Sequence, residues 1–182
     1  MAESKRRYVA LLRAINVGGN SIIKMADLRR HFEDCGLTEV ATHIQSGNVL
    51  FSAAHAGSKR LARQLEEKMA SVMGRKVAVF VLSPAELKAA AAHNPFAPER
   101  QDQDQRCNLM FLSARPDAAH CKALMALQGR DYRFHVHGAV LYYAYPLQFE
   151  GKRRTIDFEK VLGVSGTARN SNVVAKLIEL SS

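Results

Sequence analysis

Hydrophobic residues along this chain come either as short unbroken runs or at helical spacing, and the order of the two kinds predicts the elements. The run 8–15 has strand length, and Asn16-Val17-Gly18-Gly19-Asn20 breaks it. Met25, Leu28 and Phe32 then recur at steps of three and four with Gly36 behind them, which predicts an amphipathic helix with a glycine stop. Two strands follow at 40–45 and 48–52, and Ser46-Gly47 between them reads as a two-residue hairpin. Ser58 is placed to cap a helix carrying Leu61, Leu65, Met69 and Val72, which Gly74 ends. A strand at 77–82 and a helix opened by Ser83-Pro84 and running to Ala92 complete the first half.

The stretch 94–106 is polar and carries two prolines, so it buries little and reads as a linker. Beyond it the order begins again: strand 108–113, helix 117–127, a hairpin of 132–136 and 140–145 across His137-Gly138, and helix 156–162. A helix at about 170–180 is expected to end the chain in place of a fourth strand. The sequence therefore predicts an α+β fold of two ferredoxin-like, split β-α-β halves, with antiparallel sheets and helices packed on them. The expected organisation is a first half with an extra helix at 1–93, a linker at 94–106 and a second half at 107–182.

This topology has a consequence for chemistry. The loop leaving the first strand and the hairpin between the second and third fall at one end of the sheet. Asn16 to Asn20 and Gln45 to Asn48 are thus expected to be neighbours, beside the start of the first helix, where unpaired N–H groups and a positive dipole end collect.

Composition fits that picture. At 182 residues, with 47% hydrophobic residues and interspersed charge, the chain has enough apolar surface for a core without disulfides. No run approaches the length of a membrane span, and the N-terminus lacks a signal-peptide core, so a cytoplasmic protein with no membrane partner is expected. Cys35, Cys107 and Cys121 show no C-x-x-C spacing and read as reduced structural thiols. The net charge of +9 permits attraction to nucleic acid or phosphorylated molecules, but the basic residues are spread along the chain.

The candidate chemistry is polar rather than catalytic. Gly18 and Gly19 let backbone N–H groups approach an anion or carbonyl, Lys24 adds charge, and Asn16, Asn20, Gln45, Ser46 and Asn48 supply donors and acceptors. The plainer reading of the same loop is a strand-to-helix turn. Arg13, a cation inside an apolar strand, either snorkels to solvent or forks a carboxylate or phosphate. Arg169 and Asn170 pose the same choice near the C-terminus, where Arg169 answers a helix or strand terminus or closes the pocket from the second half.

Ser21-Ile22-Ile23-Lys24 and Ser46-Gly47-Asn48 imitate two marks of penicillin-recognising serine enzymes, but no K-T-G is present and the match is a coincidence of short patterns. His135 and His137 alternate on one strand face with Asp131 and Arg133, which reads as a polar, solvent-facing side rather than a metal site. Tyr142, Tyr143, Tyr145 and Phe134 are candidate stacking platforms, half of them assigned to the core by alternation.

The segment Leu11-Leu12-Arg13-Ala14-Ile15-Asn16-Val17-Gly18-Gly19, with Gln45-Ser46-Gly47-Asn48-Val49 and Thr167-Ala168-Arg169-Asn170, resembles the signatures of a widespread bacterial domain-of-unknown-function family. Its members open with Y-x-A-L-L-R-G/A-I-N-V-G-G, and the resemblance spans essentially the whole chain. It implies two ferredoxin-like halves and no established activity. Family members often carry an aromatic residue after the last Arg-Asn, where this chain has Ser171.

The leading expectation is a protein that binds an anionic ligand, a phosphorylated small molecule or nucleic acid, at the Asn/Gly-rich corner, with no cofactor or metal. Two alternatives stay open: an enzyme using Arg and backbone electrostatics, or a structural module whose open sheet faces bury each other, within the chain or between copies in a homodimer.

Overall fold

The computed structural model describes residues 5–16, 22–54, 57–96, 105–148 and 154–182. Its elements run β1 (Lys5–Leu12), α1 (Met25–Glu33), β2 (Thr38–His43), β3 (Asn48–Ala54), α2 (Ser58–Met73), β4 (Val79–Leu82) and α3 (Pro84–Ala92). The order then repeats as β5 (Gln105–Leu112), α4 (Ala118–Met125), β6 (Arg133–His137), β7 (Val140–Pro146), α5 (Phe158–Leu162), β8 (Gly166–Asn170) and α6 (Ser171–Ser181). The strand orders are β2-β3-β1-β4 and β6-β7-β5-β8, every neighbouring pair antiparallel. This is the split β-α-β arrangement twice over, an α+β fold of two ferredoxin-like halves. By contact the chain divides into two compact units, 1–88 with 176–182, and 89–175.

In the first unit, Tyr8, Ala10 and Leu12 alternate toward the helices and meet Leu28 and Phe32 of α1 and Leu61, Leu65 and Met69 of α2. Val9 and Leu11, on the opposite face of β1, are fully buried as well. Burial on both faces explains why β1 reads as a continuous apolar run rather than as alternation. The second unit packs Met110 and Leu112 with Leu124, Phe134, Leu141 and Leu162. Among the described residues no helix is long and apolar enough to cross a membrane.

Local signals placed several boundaries well. Gly36 takes φ +80° after α1, and Gly74 caps α2 in the left-handed region. Ser83 and Glu86 form a reciprocal capping box at α3, with Glu86 N–H donating to Ser83 Oγ at 3.2 Å and Ser83 N–H to Glu86 Oε2 at 2.7 Å.

Other expectations are corrected. The β2–β3 connection is four residues, 44–47, because Asn48 pairs directly with His43, so Ile44 and Gln45 leave the strand. Gly57, with φ +72°, is the N-cap of α2; Ser58 is already helical and its hydroxyl donates to Glu86 at 3.4 Å. Val72 lies off the buried stripe of α2 at 39% exposure. The fourth strand of the second half exists: 166–170 form β8, and α6 begins only at Ser171. Its polar Thr-Ala-Arg-Asn sequence hid a strand because β8 is a sheet edge, where charged residues are common. Of the polar stretch 94–106, residues 97–104 lie outside the described residues; Phe96 N–H donates to Asn94 Oδ1 at 3.0 Å, and Gln105 and Arg106 open β5.

Candidate functional site

The first unit gathers its polar signals at the end of β1. Leu12 N–H donates to Gly47 O at 2.8 Å and Arg13 N–H to Ala78 O at 2.9 Å, which ties the outgoing chain to the hairpin tip and the approach to β4. Past Arg13 the backbone turns sharply, with φ +50° at Ala14 and +56° at Asn16. Asparagine tolerates that conformation better than most residues because its short side chain bonds locally.

Asn16 engages its whole carboxamide. Its Oδ1 accepts the Ile23 N–H at 2.8 Å, while Nδ2 donates to Ile23 O at 3.1 Å and to Gln45 O at 3.2 Å. One side chain therefore closes the loop before α1 and ties it to the β2–β3 hairpin. Asn48, wholly buried, does similar work inside the hairpin, donating from Nδ2 to His43 O at 3.1 Å and Ser46 Oγ at 2.9 Å.

Around this frame stand cations and apolar rims. Arg13 and Lys24 are exposed, Lys24 as the extended N-cap residue of α1, and Gln45 is exposed at the tip. Arg75 Nη2 donates to Ala14 O at 2.9 Å. Arg75 reads in the sequence as one more scattered cation; its signal is its place after the Gly74 cap, which topology brings to the same sheet end. Ile22 and Ile44, also absent from the sequence-based set, are 73% and 51% exposed, and Ile44 holds φ +51°. A β-branched residue in that region is strained, and strain of this sort concentrates at functional positions.

Of the residues singled out by sequence, Arg13, Asn16, Lys24, Gln45, Ser46 and Asn48 come together at this corner. Gly18, Gly19, Asn20 and Ser21 lie outside the described residues. Arg169 and Asn170 lie in the second unit. Arg169 sits on β8 opposite Leu109, is 9% exposed, and donates from Nη1 to Thr167 Oγ1 and Ala168 O, each at 2.8 Å. Burial pulls its guanidinium down to about 10. Asn170 Oδ1 accepts Val173 N–H at 2.8 Å, capping the first turn of α6.

The polar side expected of Asp131, Arg133, His135 and His137 is only partly formed. Arg133, His135 and His137 are exposed on β6, and His137 stacks on His93 with ring centroids 4.1 Å apart. Asp131 precedes the strand and is 5% exposed, paired with Arg154 through Nε at 2.6 Å. No group of three or more His, Cys, Asp or Glu able to hold a metal occurs among the described residues. The aromatics divide by face as alternation requires. Phe134 and Tyr143 join the helix-facing cluster, whereas Tyr142 is fully buried and donates its hydroxyl to Ala90 O at 2.8 Å. Burial pushes both tyrosine hydroxyls up to about 12. The three cysteines are free thiols, and burial raises Cys35 and Cys107.

The Asp131 pair gives the fold a definite acid response. Hydrogen bonding to Arg154 lowers the carboxyl from 3.8 to about 2. Stabilisation from a depressed carboxyl is complete above its unfolded value and disappears as the pH falls through the folded one. Asp131→Asn is therefore expected to lower Tm at pH 7 and to reduce the further drop between pH 4 and pH 2, as thermal melts at the three pH values would show.

The sequence matches the family described as "Protein of unknown function (DUF1697)" over residues 6–142, a span holding both corner segments but not β8. A solved structure of a conserved bacterial protein from Streptococcus pneumoniae superposes with a TM-score of 0.75 at 23% identity, covering 98% of this chain and 99% of that one. At that identity the likeness shows the shared fold alone. No curated protein matches the sequence. With most of its length matched, the chain belongs to the DUF1697 family of proteins of unknown function.

Proposed function

We propose that the corner built from 13–16, 22–25 and 44–48 binds an anionic ligand through a phosphate group. The observation that carries this reading is a division of labour. The carboxamides of Asn16 and Asn48 hold backbone in place, while the exposed rim carries Arg13, Lys24 and Gln45. Rigid backbone with cations at its edge favours a ligand's negative charge, and the start of α1 adds its positive dipole end.

Pyrophosphate and heparin are the probes, because one presents isolated phosphate and the other an extended polyanion. Thermal stabilisation by pyrophosphate that Arg13→Ala and Lys24→Ala each reduce, and Lys59→Ala does not, supports a small phosphorylated ligand. Lys59 is exposed on α2 at the opposite end of the sheet and controls for the overall charge. Retention on heparin that weakens with salt, with the salt slope falling by about 1 for each rim substitution, supports nucleic acid. No response to either probe at low salt, or equal responses from all three variants, overturns the proposal.

A further inference from the structure

The two halves repeat one frame, and Asn108 is a core position at which they differ. Tyr8 and Asn108 are each the fourth residue of an eight-residue strand, β1 and β5, with nearly the same burial along it. The frames agree in detail: Leu12 N–H reaches Gly47 O at 2.8 Å, and Leu112 N–H reaches Ala139 O at 2.9 Å. By alternation both residues face the helices of their own unit, Tyr8 with Ala10 and Leu12, Asn108 with Met110 and Leu112.

Tyr8 fills its place. It is 3% exposed and stands in register with Phe51, the two rings stacked at 5.7 Å. Asn108 stands in register with Tyr143 in the same manner and is 9% exposed, but its Nδ2 is buried without a hydrogen-bond partner. Native structures seldom leave such a group unanswered unless a water, an ion or a ligand meets it. An asparagine is also much smaller than a tyrosine, so space that a ring takes in the first half is not taken by this side chain in the second.

On the β7 side the surroundings are aromatic, and on the other side Asn170 of β8 stands in register with Asn108. The Phe158 ring lies 4.8 Å from that of Tyr143, and Tyr145 stacks on Tyr143 at 6.3 Å; all three are half-buried. The helix over this part of the sheet is short, since α5 has 5 residues where α2 has 16. Arg106, exposed and two residues before Asn108, shares its face and stands in register with Tyr145.

We propose that Asn108, Tyr143, Tyr145 and Phe158, with Arg106 at the rim, form a binding recess for a nucleotide. The Asn108 amide donates to an acceptor on the edge of the base, the base stacks on the outer side of the aromatic cluster, and Arg106 meets the phosphate. An acyl chain would leave the amide unpaired, and a neutral sugar would bring Arg106 no charge to meet. This recess lies in the second unit and is independent of the corner in the first.

The test is titration calorimetry of the full chain with AMP, GMP, CMP and UMP. At least one is expected to bind with a Kd of about 1 mM or tighter. Asn108→Tyr, which installs the residue the first half carries at this position, is expected to keep cooperative unfolding and to weaken that binding by about 10-fold or more. Asn108→Leu serves the same purpose should the tyrosine variant not fold. Arg106→Ala is expected to weaken the nucleotide while leaving its nucleoside unchanged. The proposal is overturned if none of the four binds up to about 10 mM, or if the Asn108 variants bind as the parent does. Equal losses of nucleotide and nucleoside in Arg106→Ala overturn the phosphate contact.

Discussion

Gly47→Ala is expected to lower the unfolding free energy by about 2–4 kcal/mol and to dismantle the corner around Asn16. Gly47 holds φ +75°, where a Cβ is strained regardless of space, and space is absent too. A Cβ there would stand 2.7 Å from Ile15 Cγ1, 2.8 Å from Ile15 Cδ1 and 3.0 Å from Leu12 Cβ. Neither neighbour can withdraw easily, because both are 1% exposed. The Gly47 carbonyl also receives the Leu12 N–H, so a shift of the turn loosens the end of β1. Urea unfolding measures the loss; a midpoint within error of the parent would mean that the hairpin tip yields freely and the corner is not rigid.

Phe51→Ala is expected to cost about 3–5 kcal/mol, the range for deleting a buried aromatic ring. Phe51 is wholly buried on β3, stacks on Tyr8 at 5.7 Å and receives the edge of Phe32 at 5.7 Å, so its removal opens a void among β1, β3 and α1. Two-state urea unfolding should show a lower midpoint with little change in slope. A cost below about 1 kcal/mol would show that the layer closes over the void.

Most of the architecture was legible because the chain announces its elements locally. The repeats Leu28–Phe32 and Leu61–Leu65–Met69, with glycines just past both helices, reported α1 and α2 almost to the residue. What escaped was decided by tertiary pairing. Ile44 looks like strand and Arg169 looks like loop, yet the Asn48–His43 pair pushes Ile44 into a turn while β5 recruits Arg169 into an edge strand. The meeting of Asn16 with Gln45 followed from topology, since the split β-α-β order brings those loops to one end. The use of their atoms was not legible: a carboxamide offers the same donors to a ligand and to a neighbouring backbone, and only geometry separates the two. Asn108 gave no signal either, since an asparagine beginning an apolar run resembles a strand end until its partner residues are known.

The Asn16 carboxamide divides the corner into a frame and an insert. Because it satisfies both backbone groups of Ile23 and reaches Gln45, the two points where the chain leaves β1 and enters α1 are fixed independently of the residues between them. Lengthening a loop whose ends are already held costs little, since closure entropy grows only logarithmically with its length. A substitution at 17–21 is therefore expected to leave the hydrogen bonds between the end of β1 and the start of α1 in place.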